Sequence, residues 1–185
     1  MDKKDYARVT QIISGAGLTD FSKIPASDRQ YYMERGSQNH KLWEMVELGT
    51  AEDYTFDPVV EPYRAAHRQF LDDTGFKAFP DGVEKNVVND IYHYRGRLDR
   101  YGIMNGRKAL LDYKTSQVHP ETAIQTALYA IALPDAFFEI DRYCVAFKND
   151  GKYQLVKFPD RSDKDVALAA VALFYWKKNN GKLEA

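Results

Sequence analysis

Residues 94–114 read YRGRLDRYGIMNGRKALLDYK, two runs rich in strand-forming residues joined at Asn105-Gly106. Asn-Gly between such runs is a strong signal for a two-residue hairpin turn, because the turn needs positive φ at its centre. The spacing predicts paired strands over residues 92–104 and 108–114. Side chains alternate along a strand, so Leu111 and Tyr113 share one face while Asp112 and Lys114 share the other. The D-x-K triplet therefore aims an acid and an amine at one spot, and Asp99, in the G-R-L-D that starts at Gly96, brings a second carboxylate from the neighbouring strand. Both Asp112 and Lys114 are expected at the mouth of the sheet.

Two carboxylates suit a hard divalent cation such as Mg2+ or Mn2+, with positions left for waters and a phosphate oxygen. Such a cation would neutralise charge in the transition state of phosphodiester hydrolysis, and the Lys114 ammonium would steady the attacking water. A lone D-x-K also recurs as alternating solvated charges on a surface strand. Two helical motifs set this one apart: G-x-x-x-H at Gly36 and His40 in RGSQNH, and Q-x-x-x-Y at Gln125 and Tyr129 in QTALY. Glycine inside a helix costs about 0.5–1 kcal/mol relative to alanine, which leads us to expect close approach of the sheet at Gly36. His40, one turn on, shares that face and can offer neutral imidazole to a metal; its plainer reading is an interfacial histidine bonded to backbone. Gln125 and Tyr129 are likewise i, i+4 on one face, or else a polar shoulder of a buried helix. His67, His93 and His119 lack such context and are expected in structural or surface roles.

Together these motifs, in this order from about residue 34 to residue 130, resemble the PD-(D/E)xK nuclease superfamily, and most closely its RecB-like exonuclease branch, which includes small stand-alone phage nucleases. The resemblance implies an α/β, restriction-endonuclease-like three-layer core, a central mixed sheet flanked by helices. It implies catalytic roles for Asp99, Asp112 and Lys114, and Mg2+ or Mn2+ held by His40, Asp99, Asp112 and the Tyr113 carbonyl. Gln125 and Tyr129 would flank the site, orienting the lysine or touching the DNA backbone, and Arg97 would join them in binding substrate. It implies DNA rather than RNA, which the residues alone do not distinguish. Glu84 falls where many relatives carry a glutamate near the site, but it is not counted among the expected site residues.

With 185 residues, 44% hydrophobic and 29% charged, the chain fits a single domain spanning 1–185 with a sizeable core. The lone cysteine, Cys144, excludes an intramolecular disulfide and a cysteine-ligated zinc or iron–sulfur site within one chain. That separates it from the iron–sulfur-bearing relatives. A charged start, MDKKDYAR, and the lack of an apolar run of about 18 residues lead us to expect an intracellular, cytoplasmic protein that does not enter a membrane. A net charge of −1 gives no global sign of a nucleic-acid partner. Local cations do: Arg95, Arg97, Arg100, Arg107 and Lys108 crowd the hairpin, where such residues commonly solvate a sheet edge, and at least one is a candidate for phosphate contact.

The remaining pattern predicts a short apolar segment over 9–15 and a long amphipathic helix over 27–47, capped by Ser27 or Asp28 and ended by Gly49. A second helix is expected from Asp57-Pro58 to about residue 72, burying Tyr63, His67, Phe70 and Leu71. Strands at 83–88, 92–104 and 108–113 precede a helix at 120–133. A second hairpin, 142–147 and 153–158, turns at Asn149-Asp150-Gly151, and a helix at 163–178 follows. The expectation is a metal-dependent DNA exonuclease acting from ends in recombination, repair or phage DNA processing. A structure-specific or nicking endonuclease and a non-catalytic nucleic-acid-binding module are the alternatives. With no helicase motif or separate DNA-reading domain in view, strand opening would call for a homo-oligomer or a helicase or recombination partner.

Overall fold

The computed structural model describes residues 2–19, 26–50, 57–115 and 117–183, with backbone alone at 26–29 and 31–33. Five helices are found there: α1 (Val9–Gly15), α2 (Ala26–Glu47), α3 (Glu61–Thr74), α4 (Glu121–Ile131) and α5 (Asp163–Asn179). The strands are β1 (Ala7–Arg8), β2 (Lys77–Asn89), β3 (Tyr94–Met104), β4 (Arg107–Lys114), β5 (Ile140–Phe147) and β6 (Tyr153–Lys157). They form one mixed sheet in the order β1-β3-β4-β5-β6, with β2 on the other edge of β3. The β1–β3 and β4–β5 pairs are parallel and the others antiparallel. A parallel pair needs a crossover, which α4 supplies between β4 and β5. The three-layer α/β architecture expected from the sequence is the one observed.

Alternation on β4 divides the interior in two. Leu110 packs with Ile12, Leu98, Leu128 and Phe174 under α1, α4 and α5. Leu111 and Tyr113 pack with Leu42, Trp43, Phe70 and Phe147 under α2 and α3. The hairpin turn forms as the Asn-Gly pair predicts, with φ of 51° at Asn105 and 74° at Gly106. Gly49 ends α2 at φ 69°, whereas the expected cap at Ser27 or Asp28 concerns side chains outside the described residues. Pro58–Val60 forms a 3-10 turn, so α3 starts at Glu61; it buries Tyr63, His67 and Phe70 as expected, with Leu71 only half-buried. β1 was not anticipated, because two residues carry no periodicity. No helix of the described residues is long and apolar enough to cross a membrane.

A buried polar chain ties the second core together. Arg100 is fully buried, its Nε 2.9 and 2.8 Å from the two carboxylate oxygens of Glu47. Glu47 Oε1 also lies 2.7 Å from His67 Nε2 and accepts from the Tyr113 hydroxyl at 3.3 Å. The guanidinium sits 4.9 Å above the Tyr113 ring. Arg100 is thus the exception to the expectation that the hairpin cations solvate a sheet edge: it is interior because Glu47, at the end of α2, supplies the charge that burial demands.

His67 reports on this chain. Burial lowers its pKa below the ordinary imidazole value, outweighing the pull of Glu47. Its Nδ1 is buried with no partner, so protonation there would bury an N–H without an acceptor. A depressed folded-state pKa means the unfolded chain takes the proton first. The stability contribution is therefore complete above the unfolded value of about 6.5 and is lost as pH falls through the lower folded value. We expect His67 to titrate below pH 6.5 in an NMR titration, with unfolding free energy falling as the solution is acidified. An imidazole that titrates at or above about 6.5 would contradict this.

Candidate active site

The site forms where β3 and β4 part. Their pairing runs from Met104–Arg107 to Arg100–Leu111 and stops. On the same edge of β3, β1 pairs only with Tyr94 and Arg95, so residues 96–99 face a gap between the two neighbours. Asp99 closes that gap with its side chain: Oδ2 accepts the Tyr113 backbone N–H at 2.6 Å. The bond stands in for the missing ladder bond and holds the end of β4 beside Asp99.

Alternation on β3 also slips here. Gly96 and Leu98 face α4, Arg100 faces α2, and Tyr101 faces the α4 side again. One residue has been added to the phase between Leu98 and Tyr101. Opposite Asp99, Glu84 of β2 adopts φ 48°, and the β2–β3 register shifts between Ala78 and Val83. A non-glycine residue at positive φ in a strand marks a bulge-like distortion of the kind that re-aims side chains. Here it aims Glu84 and Asp99 at α2.

From α2, His40 meets them. Its Nδ1 lies 3.5 Å from Glu84 Oε1 and 3.6 Å from Asp99 Oδ1. One ligating atom from each of His40, Glu84 and Asp99 falls within a 4.8 Å group. Burial opposes charge on His40, but Asp99 and Glu84 overcome it and raise the imidazole pKa above its ordinary value. Glu84, by contrast, is held below the usual carboxylate range: His40, Arg100 and Arg97 outweigh its burial. Arg100 Nη1 donates to Glu84 Oε1 at 3.1 Å and Arg97 Nε lies 3.0 Å from Oε2. These three residues, with Gly36, Lys41 and Arg97, border a cleft of about 720 Å³.

Asp112 and Lys114 sit behind this cluster. Lys114 Nζ is 2.8 Å from Asp112 Oδ2, an ion pair whose carboxylate end is buried. Burial pushes the Asp112 carboxyl up to about 6, partly countered by Lys114. Burial would strip Lys114 of its proton, but the fields of Asp112 and Asp99 prevail and hold its pKa above the ordinary lysine value. The pair was expected at the mouth of the sheet. Lys114 is about a third exposed, but Asp112 is 1% exposed, covered on its face by the layer that carries Tyr129.

On the α4 side, Gln125 Nε2 donates to the Tyr129 hydroxyl at 3.3 Å. Tyr129 lies in the fields of Asp112, Asp99 and Lys114, and burial raises its phenol pKa above the ordinary value. Gly96 makes room for it: a Cβ there would stand 2.6 Å from the Tyr129 ring. Gly36 has no such reason. Among the described residues nothing lies within 4 Å of the position its Cβ would take, so the expected close approach of the sheet is not found there and the glycine borders the open cleft. His93 and His119 are exposed, in the surface roles expected of them.

Of the expected donors, His40 and Asp99 meet in one group with Glu84, which sequence reasoning left out, while Asp112 lies outside that group and within electrostatic reach of His40 and Asp99. A negatively charged set of one nitrogen and several oxygens fits a divalent cation. The buried Asp112 carboxylate, already paired with Lys114, adds a further acid behind that set. The signal for Glu84 was its place on the strand before the D-x-K hairpin, noted in the sequence but not counted among the site residues.

No family model matches the chain, and no curated protein matches it significantly. Solved structures do. A protein from Eubacterium rectale that carries the provisional name of exonuclease aligns over 98% of this chain and 84% of its own, with a TM-score of 0.60 and 11% identity. The alkaline exonuclease of Laribacter hongkongensis aligns over 96% of this chain and 94% of its own at 13% identity, and its complex with dAMP over 97% and 95% at 15%. Their TM-scores of 0.44 and 0.39 are too low to add to the argument. The first alignment speaks to architecture. The chain has the mixed-sheet α/β fold of that exonuclease-named structure, as the resemblance in its motifs implies.

Proposed function

We propose that this protein is a divalent-metal-dependent deoxyribonuclease that hydrolyses phosphodiester bonds, working as an exonuclease from DNA ends. The observation that carries the reading is the meeting of the His40–Glu84–Asp99 donor group with the buried Asp112–Lys114 pair at the open split of the sheet. His40, Glu84, Asp99 and Asp112, with the Tyr113 carbonyl, would hold Mg2+ or Mn2+. When bound, such a cation supplies Lewis acidity at a phosphoryl oxygen and lowers the pKa of water. Lys114, kept charged by Asp112, orients the attacking water and stabilises the hydroxide as its proton leaves. Asp112 both fixes the ammonium and faces the reacting centre. Gln125 and Tyr129 wall the far side, and Arg97 reaches from Glu84 toward a substrate phosphate. Arg97 is 64% exposed on its side chain, free to swing between the two.

Two variants test the site. Asp112→Asn and Lys114→Ala are expected to lower turnover by at least about a hundredfold, the scale for losing one electrostatic catalytic group. Since burial already penalises the Asp112 charge, Asp112→Asn should melt close to the wild type in EDTA. Mn2+ should raise the melting temperature of the wild type and not that of this variant. A folded Asp112→Asn protein with near wild-type activity would sink the assignment.

The exonuclease reading is tested by topology of the substrate. Rate should scale with the concentration of DNA ends, fall steeply with salt because binding rests on phosphates, and vanish in EDTA. Efficient linearisation of a supercoiled, nick-free plasmid in Mg2+ would replace it with the endonuclease alternative.

A further inference from the structure

Arg8 and Arg95 are direct partners in the β1–β3 pairing, so two arginine side chains leave the same face of the sheet from adjacent positions. Like charges directly opposite one another are destabilising. No carboxylate among the described residues pairs with either; Arg95 donates from Nε to the Tyr6 carbonyl at 3.4 Å. Arg8 is exposed and Arg95 half-buried. With Asn86, Val88 and Arg97 they border a cleft of about 650 Å³ that has no acidic residue in its wall among the described residues.

That cleft leads to the site. Positions 95, 97 and 99 alternate onto a single face of β3, and the slip in phase comes only after Asp99. Arg97 borders both this cleft and the one that holds His40, Glu84 and Asp99. Alternate positions of a strand are spaced by about 6.7 Å. Neighbouring phosphates of an extended polynucleotide repeat at a similar distance. An extended single strand can lay successive phosphates along such a row.

We propose that Arg8, Arg95 and Arg97 form a phosphate ladder that grips the backbone of an unpaired DNA strand in extended form and feeds it to the His40–Glu84–Asp99 cluster. Arg8 and Arg95 clamp one phosphate between them, which relieves their repulsion, and Arg97 takes the next. The ligand's identity as DNA rests on the nuclease reading; Arg8 and Arg95, which pair with no carboxylate among the described residues, do not depend on the metal.

The test is the binding of a labelled oligothymidylate to the full chain in EDTA, followed by fluorescence anisotropy over a series of salt concentrations. Each phosphate neutralised on a single strand contributes about 0.7 to the slope of log affinity against log salt. Arg8→Gln/Arg95→Gln should therefore lower the slope by about 0.7 and weaken binding at low salt by about tenfold, as for losing a charge-assisted contact of about 1.5 kcal/mol. Lys152→Gln, at the exposed turn between β5 and β6, should leave the slope unchanged. Circular single-stranded DNA should compete as well as a linear strand of equal length, since the ladder reads backbone and not an end.

A wild type that cleaves DNA but shares its salt slope with the folded double variant overturns the ladder and leaves the nuclease reading standing. A loss confined to oligonucleotides with a terminal phosphate overturns it in favour of an end-binding pocket. Absence of any oligonucleotide binding by the wild type also overturns it. The predicted slope change in a protein that never cleaves would support the ladder and refute the nuclease reading.

Discussion

The 2.6 Å hydrogen bond from the Tyr113 amide to the Asp99 carboxylate is the contact on which the site depends. A sheet that kept its ladder intact would satisfy both backbones and leave no opening. By substituting a side chain for the carbonyl, Asp99 lets β3 and β4 part without an orphaned N–H, and the opening so made is where the acids, the amine and the imidazole meet. The same carboxylate faces His40 with its other oxygen. It belongs at once to the framework and to the chemistry.

Behind that opening the charges are arranged so that none is buried alone. Arg100 answers Glu47 and Glu84, and Lys114 answers Asp112. Removing Arg100, which is buried outright, would cost about 3–5 kcal/mol, because Glu47 would be left uncompensated. The fold can therefore carry an acid-rich centre only while these cations are in place. The His40–Glu84–Asp99 group is the exception: its excess negative charge is answered in part by a raised imidazole pKa. That residual charge is what makes a divalent cation its natural complement.

Much of this was legible in the sequence because it follows from local rules. Asn105-Gly106 sets the turn, and period-two alternation puts Asp112 and Lys114 on one face. Helical spacing joins Gly36 to His40 and Gln125 to Tyr129. The rest turns on departures from those rules. Glu84 reaches the site only because its backbone takes φ 48°, which no pattern of residue types announces. Arg100 turns inward because the strand slips phase after Asp99, so counting by twos from Gly96 puts it on the wrong face. Asp112 is buried rather than at the rim because α4 closes over it, a tertiary event. Gly36 looked like a contact glycine and instead lies beside open space.

The central claim is that one divalent cation belongs among His40, Glu84, Asp99 and Asp112. Anomalous diffraction from crystals grown with Mn2+ tests it most directly. The account predicts a single strong peak bounded by the His40 ring and the carboxylates of Glu84 and Asp99, on the side facing Asp112 and Lys114. A map with no peak there at saturating Mn2+, or with the ion bound elsewhere while this cluster keeps its ion pairs, would contradict it.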